Sequence, residues 1–324
     1  MNTASKRFID TNQSHISSIN YGTGENSLSD QWFDLVEHIG NRHPHIKQAL
    51  TTNGYISKAC KDQRKYKIFK EHISEVDISL DFADSERHNR FRGNAEAYEM
   101  ALSAFDLCKD SQKQTTLVFL STTEVVDPNN LEELFEIANK YGTLLRSNIY
   151  RPTSGFNKVS ERFILEYKTL VDMIKWISIN HKIIKISDRL LAAILFGQKA
   201  EDHTGISSLR ILGDGSITPS TYLIGDEYRK YNISDNILFE DIGFRQYIEQ
   251  DYIPEFCQSC SVRDYCMGGV VDRRLLWYGT LRERDPYCPC RYNQPTDSAL
   301  IATPEFCEFS SVHDDYLPTM FFAY

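Results

Sequence analysis

Residues 14–39 read SHISSINYGTGENSLSDQWFDLVEHI. The first seven read as a short β-like run, and a glycine-bearing turn follows. Trp32, Leu35, Val36 and Ile39 then recur at i, i+3, i+4 and i+7, which gives a helix one apolar stripe to lay on a sheet. This strand, turn and helix unit returns about every thirty residues, the length of a strand, a helix and two loops. Its further strands read IKQALTT (46–52), VDISLDF (76–82), TTLVFL (115–120) and TLLRSNIY (143–150), and Leu131, Leu134, Phe135 and Ala138 repeat the helical stripe. The fold class is therefore α/β with a parallel sheet. Right-handed crossovers curl five such units into an open, partial (β/α) barrel whose functional loops lie at the C-terminal ends of the strands. A flat doubly wound sheet is the alternative.

Beyond the last of these strands, Phe163, Tyr167, Leu170, Val171, Ile174 and Ile177 form a long helical stripe, and a second apolar helix runs from about Ser187 to Phe196. Both are expected to close the side of the barrel. The character then changes. SSLRILGDGSITPSTYL reads as a β-hairpin turning at Gly213-Asp214-Gly215, followed by clustered cysteines. The expected division is a barrel at 1–198, a small cysteine-rich domain at 199–292 and a tail at 293–324.

A net charge of −9 on 324 residues, with no arginine-rich tract, argues against a nucleic-acid or anionic-membrane partner. The longest wholly apolar run, Leu190 to Phe196, is far short of a membrane span, and the opening residues carry no stretch of signal-peptide length. A soluble, cytoplasmic protein is expected. Five of the eight cysteines fall between Cys257 and Cys290, and clustering in a reducing compartment points to metal rather than disulfides. Cys257-x2-Cys260, Cys266 and either Cys288 or Cys290 bring four thiolates together. Spacing alone leaves zinc and a [4Fe-4S] cluster both open.

The run Cys257-x2-Cys260-x5-Cys266-Met-Gly-Gly-Val270, followed by Asp285-Pro-Tyr-Cys288, resembles the cysteine motif of SPASM domains, which accompany radical SAM enzymes. The resemblance implies one auxiliary [4Fe-4S] cluster on Cys257, Cys260, Cys266 and Cys288. It implies loss of the second, since Ser220 and Val270 stand where the family has two of that cluster's cysteines. Thr23-Gly24-Glu25 resembles the family's G-G-E motif, Thr51-Thr52-Asn53-Gly54 its T-N-G turn, and Ser79-Leu80-Asp81 with Arg92-Gly93 its S-L-D and R-G elements. Asn148 and Arg151 end the last strand, where further cofactor contacts often lie. By resemblance, Thr23, Gly24, Glu25, Asn53, Ser79, Asp81, Arg92 and Asn148 would contact S-adenosylmethionine.

The family's C-x3-C-x2-C triad is absent, and no cysteine precedes Cys60. Those thiolates leave one iron open to S-adenosylmethionine, chemistry that side chains cannot replace. The resemblance thus implies a truncated or degenerate relative of enzymes that modify peptides or proteins. The first barrel strand would be missing, and a partner chain could supply that strand and its cysteine loop. Residues before His15 would otherwise fold back across the exposed edge, or the chain would self-associate there. The rival readings are a non-enzymatic four-cysteine module, binding zinc or iron-sulfur and a peptide or partner, and a disrupted gene product. Cys60 and Cys108 read as isolated helical thiols. His38, His43 and His45 read as a solvated surface group, because Pro44 breaks their helical spacing. His88 reads as a surface residue with a lesser claim to substrate contact.

Overall fold

The structure, a computed structural model, describes residues 2–153, 155–244, 252–296, 309–315 and 317–324. Cys307 and part of the expected tail lie outside these residues. Five strands, β1 (Ser18–Tyr21), β2 (Lys47–Thr52), β3 (Glu75–Ser79), β4 (Gln114–Ser121) and β5 (Leu144–Ile149), pair in sequence order, each parallel to the next. The helices between them end where their sequences dictate. Asp127 accepts hydrogen bonds from the amides of Asn129 and Asn130 to start the helix Pro128–Tyr141, and Gly142 ends it with φ of +64°. Asp84 and Gly93 do the same for Ser85–Arg92. The apolar stripes meet the sheet as expected: Phe33 and Val36 from the helix Asp30–Arg42, and Leu131, Leu134 and Phe135 from Pro128–Tyr141, are fully buried with Leu50, Ile78, Leu117 and Leu145. This is the α/β architecture of a partial barrel.

Two strands escape the sequence reading. β6 (Lys182–Ile186) lies between the two helices read as the barrel's side, Tyr167–Asn180 and Arg189–Phe196. The last strand of the chain, Met320–Ala323, inserts antiparallel between β5 and β6, pairing Met320 with Ser147 and with Ile186. Met320, Phe321 and Phe322 are all buried, so the strand shows no alternation to read, and its partners are remote in sequence. Just upstream, Ser311 to His313 reach into the barrel. The amide of Val312 donates to Glu75 Oε2 (2.9 Å), and His313 lies 3.1 Å from Glu75 and 2.9 Å from Asp77, which also pairs with Arg146. The last strand of what reads as a tail is therefore part of the barrel sheet.

β1 is the outer strand, paired only with β2 among the described residues. The preceding helix, Asn2–Asn12, does not pair with that edge. It packs on the helix Asp30–Arg42 and buries Phe8 and Ile9 with Ile217, Ile233 and Phe244 of the small domain. In that domain β7 (Arg210–Ile211), β8 (Ser216–Thr218) and β9 (Tyr231–Asn232) form an antiparallel sheet; with these, the C-terminal strand is β10. The β7–β8 hairpin turns where expected, with Gly215 at φ of +85° and Asp214 accepting from the amide of Ser216. Among the described residues no helix is long and apolar enough to cross a membrane.

Candidate metal centre and barrel mouth

Three short turns carry the cysteines. Cys257 closes the turn Glu255–Cys257, and the amide of Cys260 donates back to its carbonyl (3.0 Å). Cys266 ends the helical turn Arg263–Cys266, after which Met267, Gly268 and Gly269 all take positive φ. The paired glycines are required by their surroundings: a Cβ on Gly268 would lie 2.5 Å from Pro254 Cδ, and one on Gly269 would lie 2.3 Å from Asp285 Cβ. Asp285 ties the Cys266 loop to the Cys288 loop. Its carboxylate accepts from the amides of Val270 (3.0 Å) and Tyr287 (2.9 Å), and its carbonyl accepts from the amide of Cys288 (3.0 Å).

Cys257, Cys266 and Cys288 are buried, Cys260 is half-buried and Cys290 is exposed. Burial pushes the Cys266 thiol well above its ordinary value, and Asp285, Cys288, Cys257 and Cys260 push the same way. Burial likewise raises Cys257, and raises Cys288 to about 12. Such thiols ionise only against a nearby cation. One buried cation is waiting. The Arg274 guanidinium donates to the carbonyls of Glu283, Met267, Tyr252 and Leu281, none of them charged, and feels Asp285, Cys257 and Cys266. The donor set and this charge, which no carboxylate hydrogen-bonds among the described residues, fit an anionic tetrathiolate metal group. Zinc would hold sulfurs about 3.8 Å apart, from ~2.3 Å bonds at tetrahedral angles. Among the described residues no three cysteine sulfurs close to within 4.8 Å of one another.

Ser220 and Val270, the two positions that break the family pattern, have other occupations. Ser220 Oγ accepts from the amides of Tyr222 (3.0 Å) and Leu223 (3.3 Å), and Val270 is wholly buried.

At the other end of the candidate site, the loops after β1, β2 and β3 come together at the strands' C-terminal ends. Glu25 bridges two of them: one oxygen accepts from Thr52 Oγ1 and the amide of Asn53 (2.8 Å each), and the other accepts from Ser27. Thr23, Gly24 and Asn53 are exposed, and nothing lies within 4 Å of where a Cβ on Gly24 would stand. Ser79 is half-buried. Asn148 is too, its amide oxygen accepting from Thr319 (3.0 Å) and Arg146 (3.4 Å). Asp81 is fully buried, with one oxygen on the Arg92 guanidinium (2.6 Å) and the other on the amide of Leu120 (2.9 Å). The structure thus joins the loop of Thr23, Gly24 and Glu25 to that of Asn53, and separately pairs Asp81 with Arg92.

Three residues differ in role from their sequence reading. His88 is buried rather than on the surface; its Nδ1 accepts from the amide of Asp81 (3.2 Å), and burial lowers its pKa to about 4. Arg151 leaves the strand end to pair with buried Asp272 of the small domain (3.0 Å). His43 is buried beside His38 against Asp10. Cys108 is fully buried and Cys60 half-buried, and burial raises both to about 12. Arg273 and Arg274 have no part in the sequence reading, and Asp285 enters it only as a member of the Asp285-Pro-Tyr-Cys288 run. The only signal was an adjacent arginine pair opening an apolar helix, Val271–Tyr278.

No family model and no curated protein matches the sequence. Solved structures do. anSMEcpe with bound AdoMet superposes with a TM-score of 0.71 at 19% identity, over 90% of this chain and 82% of that one. Native anSMEcpe with bound AdoMet and Kp18Cys peptide gives 0.69 at 19% identity, over 90% and 85%. Streptococcus suis SuiB bound to S-adenosylmethionine gives 0.65 at 14% identity, over 89% and 70%. The chain has the fold of these S-adenosylmethionine-bound structures.

Proposed function

We propose that this chain is an iron-sulfur protein of the radical SAM/SPASM type, holding one [4Fe-4S] cluster on Cys257, Cys260, Cys266 and Cys288, and that it does not cleave S-adenosylmethionine by itself. The observation that carries the reading is Arg274, a buried cation with no carboxylate hydrogen bond among the described residues, seated on the carbonyls of Met267, Leu281 and Glu283 where Asp285 ties the Cys266 loop to the Cys288 loop. Four thiolates around such a cluster carry net negative charge, which Arg274 offsets. Bound there, the cluster supplies one-electron chemistry with every iron already ligated. Clustered reduced thiols suit the cytoplasm.

At the barrel mouth Glu25 keeps one acceptor site on Oε1 for the amine of S-adenosylmethionine, and Gly24 leaves room for its approach. Asn53, Ser79 and Asn148 line the same end. The Asp81–Arg92 pair holds the loop beneath them. Neighbouring folds with bound peptide support a peptide or protein as the substrate class. A second reading, a cluster-bearing module without catalysis, is favoured by one observation: both oxygens of Glu25 are already engaged by the chain's own loops.

The test is equilibrium dialysis with S-adenosylmethionine on the reconstituted, reduced chain, with 5′-deoxyadenosine measured in parallel. We expect binding, at least about tenfold weaker in Glu25→Gln, the scale of a lost charged hydrogen bond, and no 5′-deoxyadenosine above a no-protein control. Sustained deoxyadenosine would overturn the inactivity of the lone chain. A folded wild type that binds no S-adenosylmethionine would leave only the non-enzymatic module.

A further inference from the structure

A second donor set lies away from the cysteines, where the N-terminal helix meets the barrel. Asp10, near the end of the helix Asn2–Asn12, points one carboxylate oxygen, Oδ1, at two imidazoles. His38 Nε2 from the helix Asp30–Arg42 is 2.9 Å away, and Nε2 of His43, the first residue beyond that helix, is 2.7 Å away. The three ligand atoms lie within 4.8 Å of one another, and His43 is buried. With no ion, Oδ1 must take a proton from both rings while Oδ2 takes no hydrogen bond among the described residues. The competing cation, Arg42, reaches Oδ1 only at 3.5 Å, and its side chain is 61% exposed, so it can swing to water.

We propose that Asp10, His38 and His43 bind one zinc-class divalent ion. Two neutral imidazoles and a carboxylate are the donors such ions take, with water completing the shell. The contrasting group, Glu75, Asp77 and His313, meets the same distance criterion, but Arg146 already supplies its cation. The consequence is mechanical. The helix Asn2–Asn12 is a clasp: it packs on the helix Asp30–Arg42 and buries Phe8 and Ile9 in the small domain, where Asn12 also holds the carbonyl of Ile237 and the amide of Phe239. An ion at Asp10 ties the clasp to the barrel and so couples the barrel to the small domain.

The experiment uses the full chain with its cysteine site loaded, so that thiols do not compete, and Zn²⁺ as the probe. Calorimetry should show one ion bound, and absorption fine structure at the zinc edge should show nitrogen and oxygen at about 2.0–2.1 Å without sulfur at about 2.3 Å. Amide exchange across residues 2–12 should slow when Zn²⁺ is added. H38Q/H43Q should lose the ion while keeping its cysteine-bound metal. Should that double variant fail to fold, D10N decides, with affinity expected to fall more than about 100-fold, beyond the loss of an outer-shell partner. A folded wild type that binds no Zn²⁺, a sulfur shell, or affinity unchanged in D10N or H38Q/H43Q would overturn the proposal.

Discussion

Asp81 has its charge met by Arg92 and its backbone amide held by His88, so the imidazole must stay neutral to accept that bond. Burial has lowered its pKa from 6.5 to about 4. Between those values the unfolded chain binds more protons than the folded one, so the contribution is complete above about pH 6.5 and is lost as pH falls toward 4. The loss should reach the order of 2–3 kcal/mol, read as the fall in urea midpoint with pH. His88→Gln should flatten that segment of the curve, and an equal slope in both proteins would contradict the assignment. The Ser79-Leu80-Asp81 motif stands out in the sequence by its resemblance, within the strand read at 76–82. That His88 turns inward was not legible, because nothing in DSERHNRF distinguishes the inner face of a polar helix until Asp81 sits beneath it.

At the scale of elements, β1 to β5 were legible because each strand and helix pair carries its own turn and caps, so local pattern and fold agree. β10 depends on partners far away in sequence, and its short apolar run carries no period. Its packing makes a sharp prediction. Phe322 is fully buried between β5 and β6 and near Phe135, so Phe322→Ala should cost about 3–5 kcal/mol in chemical denaturation. A loss below about 1 kcal/mol, the scale of a surface change, would mean that the strand is a loose appendage rather than part of the sheet.

Across the whole molecule, two buried arginines join the domains. Arg151 from the barrel pairs with Asp272, and Arg273 from the small domain spans Asp188 at the start of the helix Arg189–Phe196 and its own Asp285. Removing one partner leaves a buried charge uncompensated, so Arg151→Met should destabilise by about 3–5 kcal/mol and split one unfolding transition into two. A single, unshifted transition would show that the domains are held by something else. As an expectation, the proposed metal centre was legible in the cysteine spacing. Its charge balance was not, since Arg274 becomes a counter-charge only when the glycine turn and Asp285 fold the three cysteine loops around it. That balance is also what the central claim rests on, and the metal content of anaerobically purified protein tests it most directly. The account predicts brown protein with about four irons and four sulfides per chain, lost in Cys257→Ser, Cys260→Ser, Cys266→Ser and Cys288→Ser but retained in Cys290→Ser. Zinc at the cysteines with no iron, or iron that survives Cys288→Ser and is lost in Cys290→Ser, would contradict it.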